Sequence, residues 1–200
     1  MSEEPEIREG FVAPELAAEF PELRVVWVEV PAAAGGSPPE IRDRLRGLSD
    51  KLRGAQAIEL RGRQVPHAYR VFFRHIGLDP DVTRVPAEAL VLERLLRGAY
   101  VSRGRLPDAL SIACIETGVP VWALDRDRVE PPLGLRNVDG RLALSDGAGA
   151  IATLFLETPG PPYAPDPETR RLALVSVVVP GVPALYAEEA LWIAGEALGA

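Results

Sequence analysis

Two short β-branched runs stand out in the apolar pattern of the chain: RVVWVEV, Arg24 to Val30, and RLALVSVVV, Arg171 to Val179. Each has the composition of a buried strand, and the second is apolar enough to lie at the centre of a sheet. Between them the period changes to that of helices. After the turn AAAGGSPPE, Ile41, Leu45, Leu48 and Leu52 recur at spacings of 4, 3 and 4, which puts them on one helical face. Ser37 followed by Glu40 fits a capping box, Pro38 suits the first helical position, and Arg42, Arg44, Arg46 and Arg53 fall on the wetter sides. Further helices are predicted over Pro66 to Ile76, Pro86 to Arg97 and Pro107 to Thr117, stopped by Gly77, Gly98 and Gly118. In the third of these four helices Leu90, Leu95 and Leu96 are expected to anchor the core.

Beyond Gly118 the pattern returns to strands. VPVWALD, Val119 to Asp125, is followed by LGLRNVDGRLALS, a hairpin about Asp139-Gly140, and by ATLFLET. The Pro-rich TPGPPYAPDPE reads as a loop, and a last helix runs from Glu188 to Leu198 with Ala190, Leu191, Ile193, Ala194 and Leu198 facing inward. Strand and helix do not alternate strictly and no repeat is visible, which excludes a simple doubly wound sheet. The expectation is a single α+β domain over residues 21–200, with a mixed or mainly antiparallel sheet packed with helices, preceded by an acidic tail over 1–20.

Composition narrows this picture. A chain of 200 residues, 47% of them hydrophobic, is long enough to bury one sizeable core. No apolar run approaches the roughly 20 residues that span a bilayer, and the start, MSEEPEIREG, is acidic where a secretion signal is basic and then apolar. A soluble, cytoplasmic protein is expected. Cys114 is the single cysteine, so no intramolecular disulfide can form, and with His67 and His75 as the two histidines neither a structural metal nor a cofactor is expected.

The net charge of -7 conceals an uneven distribution: residues 1–41 carry -7, 42–105 carry +7 and 106–200 carry -7. A local basic face of this kind can attract a nucleic acid even on an acidic protein. Thirteen of the fourteen cations in the middle third are Arg, whose fork suits phosphate and carboxylate, although Lys51 is the chain's single lysine, a bias that weakens the inference.

Several motifs carry candidate chemistry. DGAGAIA, Asp146 to Ala152, matches a dinucleotide-site fingerprint, but the segment after it is β-rich rather than helical, so a turn is the better reading. Ser111, Asp108 and either histidine are the residue types of a nucleophilic triad, yet no local motif holds a nucleophile in a strained elbow. Cys114, flanked by Ile112, Ala113 and Ile115, reads as a small buried hydrophobe, and His67 and His75 as half-buried core residues. The set of interest is Tyr69, Arg70, Arg74 and His75 on one helix, Glu88 and Arg94 on the next, and Asp108 and Ser111 on the one after. Side-by-side packing would place guanidiniums, carboxylates and a stackable ring around one cleft, with Arg74, Glu88 and Arg94 at its rim. The alternative is an Arg/Glu salt-bridge network on solvated faces.

The order of these residues resembles the editing module, the B3/B4 domain, of the phenylalanyl-tRNA synthetase beta subunit, and in particular the free-standing proteins built from that module. The matching positions are Tyr69-Arg70, GLDP from Gly77 to Pro80, PAEAL from Pro86 to Leu90 with Arg94, Leu106-Pro107, Asp108 with Ser111, VPVWALD, and Arg136. The resemblance covers roughly residues 20–200 and is strongest over 66–137. It implies an α+β fold that binds the aminoacylated 3′ end of tRNA and hydrolyses a mischarged ester with a positioned water, without a protein nucleophile. Neither a membrane nor DNA is implied as a partner. By the same resemblance Tyr69, Arg70 and Arg74 face the terminal nucleotide, with His75, Arg94 and Arg136 as further tRNA or ligand contacts, while Glu88, Asp108 and Ser111 form the catalytic set lining the amino acid pocket. Three departures accompany it. Ser111 stands where the family has Asn, Ala87 where it has Ser, and ETPGPPYAPDPETR replaces a Trp/Arg-rich segment. Each removes a polar group that could position the ester or its water, which leaves a noncatalytic RNA- or small-ligand-binding module as the alternative.

Overall fold

A computed structural model describes residues 6–33, 35–52 and 59–199. Arg53, expected on a wet helix side, lies outside them. The chain forms two four-stranded sheets joined at their first strands. β1 (Arg8–Glu9) pairs antiparallel with β3 (Arg24–Pro31), and two residues later β2 (Phe11–Val12) pairs parallel with β5 (Gly134–Val138) in the other sheet. The first sheet has the order β1-β3-β8-β4, with β4 at Val121–Asp125 and β8 at Arg171–Val178; the second runs β2-β5-β6-β7, with β6 at Arg141–Ser145 and β7 at Ala150–Thr153. Apart from β2 with β5, every pairing is antiparallel. The fold is therefore α+β with mainly antiparallel sheets. β8 lies between β3 and β4, and every residue after Arg171 in it is buried, which explains its continuous apolar run.

Residues 6–20 are not a tail. Charged side chains alternate there with Ile7, Phe11, Val12, Leu16 and Phe20, all of which pack into or against the core except Phe11, which lies half-buried under a guanidinium. α1 (Pro14–Glu19) starts on a proline at its first turn and buries Leu16. β2 can approach β5 so closely because Gly134 has no side chain: a Cβ there would sit 2.1 Å from the carbonyl oxygen of Phe11.

The helical middle follows the apolar periodicity. α2 (Pro39–Lys51) buries Ile41 and Leu45, α3 (Gln64–His75) buries Tyr69, Phe72 and Phe73, and α4 (Pro86–Arg97) and α5 (Arg105–Thr117) end at Gly98 and Gly118 in the left-handed conformation. α6 (Ala184–Leu198) lies on β3, β8 and β4, α5 packs on α6, and α2 packs on α5. The capping box does not form. Pro38 is the cap residue and makes no side-chain cap bond, because the Ser37 hydroxyl donates instead to Asp108 at 2.5 Å. A buried carboxylate needs its donors more than a helix start does when two prolines have already removed N–H groups from that start.

Two further expectations change. Leu96 is 79% exposed and Leu95 40%, since α4 turns a narrow face inward, and its buried residues are Ala87, Glu88 and Val91. ATLFLET is not one strand: β7 ends at Thr153 and the chain turns over Leu154–Leu156, with Phe155 at φ +64°. A bulky residue in the left-handed region is strained. What holds it is aromatic packing, for its ring sits 4.7 Å from Phe73, 5.5 Å from Trp122 and 5.9 Å from Tyr69 between centroids.

Candidate ligand site

The expected constellation does not assemble around one cleft. Tyr69 is fully buried and its hydroxyl donates to the Val177 carbonyl at 2.6 Å, so burial pushes the phenol well above its ordinary range and its ring belongs to the core. Arg70 and Glu88 do meet, but inside the protein. Arg70 Nη1 donates to Glu88 Oε2 at 3.0 Å and Nη2 to Asp81 Oδ1 at 2.7 Å, while half-exposed Arg61 approaches both carboxylates at 3.5 and 3.6 Å. The bond that Arg70 donates to Asp81, with the charge of Glu88 behind it, holds the guanidinium above its ordinary value, and Arg70 in turn pulls the Asp81 carboxyl down. The salt-bridge alternative is the arrangement found, though its centre is buried rather than solvated.

The other cations go elsewhere. Arg74 and His75 are exposed at the end of α3, and His67 is exposed near its start, because the inward face of that helix is taken by Tyr69, Phe72 and Phe73. Arg94 donates to the Ser49 carbonyl at 2.9 Å and so fastens α4 to the end of α2. Arg136 stacks over the Phe11 ring at 4.6 Å on the second sheet.

Asp108 is 1% exposed and accepts from the Ser37 and Ser102 hydroxyls, each at 2.5 Å, and from the Arg103 amide at 2.8 Å. Sitting in the first turn of α5, it clamps two incoming loops onto that helix. Ser111, one turn further on, donates to the Pro107 carbonyl at 2.7 Å rather than to a histidine, and accepts from Arg103 Nη2 at 3.2 Å. DGAGAIA is a turn: the Asp146 carboxylate accepts from the amides of Ala148 and Gly149, and β7 comes next where a nucleotide site would have a helix.

What the structure does contain is a cavity of about 510 Å³ beside these groups, within the range of small-molecule sites. Its walls are Ala89 and Leu90 of α4, Leu106, Leu110 and Cys114 of α5, Trp122 of β4, and Phe155 with Pro159 from the turn after β7. Burial pushes the Cys114 thiol up to about 12, so it serves as apolar lining and not as a thiolate nucleophile. Ser111, Glu157 and Thr158 supply polar groups. Of the expected site residues Ser111 alone lines this cavity; Glu88 and Asp108 do not.

Glu157 is the residue that the sequence pattern misses. Its carboxylate accepts from the Thr153 amide at 2.8 Å while its own amide donates to the Thr153 carbonyl at 3.0 Å, closing the turn that carries Phe155. The hydrogen bond from the Thr153 amide, with a second from the Thr153 hydroxyl and Arg141 nearby, holds the carboxyl below its ordinary value. Glu157 also lines a second hollow of about 460 Å³ over β6 and β7, together with Asp139, Arg141 and Thr153. A third hollow of about 310 Å³ shares Leu106, Pro107 and Pro165 with the first and adds Arg103 and Arg105. Among the described residues no cluster of three or more His, Cys, Asp or Glu is placed to hold a metal ion, and no helix is long and apolar enough to cross a membrane. No protein-family model matches the chain, and no curated protein matches it.

Proposed function

We propose that the chain is a free-standing B3/B4-like module that binds the aminoacylated 3′ end of a tRNA and hydrolyses a mischarged ester. The observation that carries this reading is the cavity between α4, α5, β4 and the turn after β7. Its walls are apolar, its volume of about 510 Å³ accommodates an aromatic or large aliphatic aminoacyl group, and Ser111, Glu157 and Thr158 lie where the polar ester would emerge. Arg103, bonded to Ser111 and lining the adjoining hollow, is a cation within reach of a phosphate. Hydrolysis by a positioned water demands only that the ester be held and its developing oxyanion met by donors.

A second reading, a noncatalytic binding module, is favoured by one observation: Glu88 and Asp108, two of the three groups expected to act on the ester, are buried and engaged by internal partners outside the cavity. Incubation of the protein with a panel of correctly and incorrectly charged tRNAs separates the two. Selective release of one amino acid, lost when Ala89→Trp fills the cavity, supports editing. Salt-sensitive tRNA binding with no release from any member supports the module, and no binding at low salt removes both tRNA readings.

A further inference from the structure

The cavity has an apolar interior and, at its junction with the polar hollow over β6 and β7, one carboxylate that no cation neutralises directly. Glu157 lines both spaces. One of its oxygens accepts from the Thr153 amide, the Thr153 hydroxyl adds a second bond, and the exposed carboxylate, with about four lone-pair sites, keeps lone pairs for a ligand. Its position is set rigidly, because the turn from Thr153 to Glu157 is closed by hydrogen bonds in both directions and locked by the Phe155 ring. A ligand filling the apolar space therefore meets a fixed negative charge at the point where it turns outward. Ser111 and Thr158, the other polar side chains lining the space, are neutral, so the charge of Glu157 sets the electrostatic preference there.

We propose that Glu157 holds a primary ammonium group carried next to the ligand's apolar body, so that the site takes α-amino acyl groups with a free amine and rejects those whose amine is absent or acylated. This rests on the reading of the cavity as an aminoacyl site and adds to it the feature by which the substrate is chosen. An ester of an unmodified amino acid carries an apolar side chain and an ammonium on the same carbon. An N-acylated or peptidyl ester brings a neutral amide to the carboxylate and leaves it without a charged partner, which forfeits the modest worth of a solvent-open ion pair.

Titration of the purified protein with L-phenylalaninol and with 3-phenylpropan-1-ol, which differ by the amine, tests this by calorimetry or ligand-observed NMR. For the native protein the amine should bind at least about fivefold more tightly, a modest preference as befits an ion pair open to solvent. Glu157→Gln keeps an oxygen for the Thr153 amide and should leave the fold intact while erasing the preference; Glu157→Asp should retain part of it. Equal binding of the two alcohols by the native protein, or a preference that survives in Glu157→Gln, overturns the role of Glu157. If both alcohols still bind and Ala89→Trp abolishes both, that failure leaves the cavity reading standing. Binding of neither alcohol to the native protein overturns both.

Discussion

Glu88, on the helix whose Ala89 and Leu90 line the cavity, and Glu157, which lines the cavity itself, show what burial does to a carboxylate. Glu88 is buried, clamped by Arg70 and approached by Arg61, and does not line the cavity. Glu157 is exposed, bonded to one backbone amide, and faces a cavity. Asp108, with three donors, behaves like Glu88. A carboxylate buried with its donors inside the protein stabilises the fold, and one with lone pairs free beside an apolar space can recognise something. On this comparison Glu88 and Asp108, suggestive of catalysis in the sequence, hold the scaffold together, and the proposed recognition falls to Glu157 at the edge of the Pro-rich loop.

The comparison can be broken most severely at Arg70. Arg70→Ala leaves the Glu88 carboxylate buried with only the half-exposed Arg61 nearby, and is expected to cost about 3 kcal/mol, lowering Tm by on the order of 10 °C. Calorimetry checks this, and the folded fraction should still bind the apolar amine. Asp108→Ala removes the acceptor for two hydroxyls and an amide, with an expected loss of about 2 kcal/mol in a urea titration. Ala89→Trp, at an exposed position on the cavity wall, should change stability by no more than about 0.5 kcal/mol while abolishing ligand binding. Glu157→Gln should leave Tm within about 2 °C of the native value, so its whole effect is read in binding.

The smallest effect is one of pH. Arg70 depresses the Asp81 carboxyl in the folded protein, so this group adds stability above its ordinary value of 3.8 and loses that contribution as pH falls through the lower folded value. Thermal melts from about pH 5 to about pH 2 should therefore show a steeper acid limb in the native protein than in Arg70→Ala. A parallel pair of limbs would mean that the ion pair is absent in solution.

Much of the fold is legible because single-residue rules apply to it. Gly98 and Gly118 mark helix ends, Asp139-Gly140 takes two positive φ angles in a hairpin turn, and the Val-rich run of β8 is buried throughout as its composition requires. The N-terminal elements are hidden by their acidic residues, although Phe11, Leu16 and Phe20 carry the signal. The site is less legible because it depends on pairings over long separations. Ser37 reaches Asp108 across 71 residues, and no local pattern tells that a hydroxyl will leave its own helix start for that partner. Ser111, which lines the cavity, is singled out by its place in a motif, whereas Trp122 and Phe155 read as strand residues and Glu157 as the end of one. What makes them a site is the left-handed turn at Phe155, which the aromatic ring of a residue normally averse to that conformation imposes from tertiary contacts.

The most direct measurement is NMR mapping of the protein with 3′-deoxy-3′-(L-phenylalanylamino)adenosine, an aminoacyl-adenosine whose amide bond resists hydrolysis. The account predicts shifts concentrated at Leu110, Ser111, Cys114, Trp122, Phe155 and Glu157, absent in Ala89→Trp. Shifts centred on Arg70, Arg74 and His75 with the cavity residues unmoved, or no shifts at millimolar ligand, would contradict it.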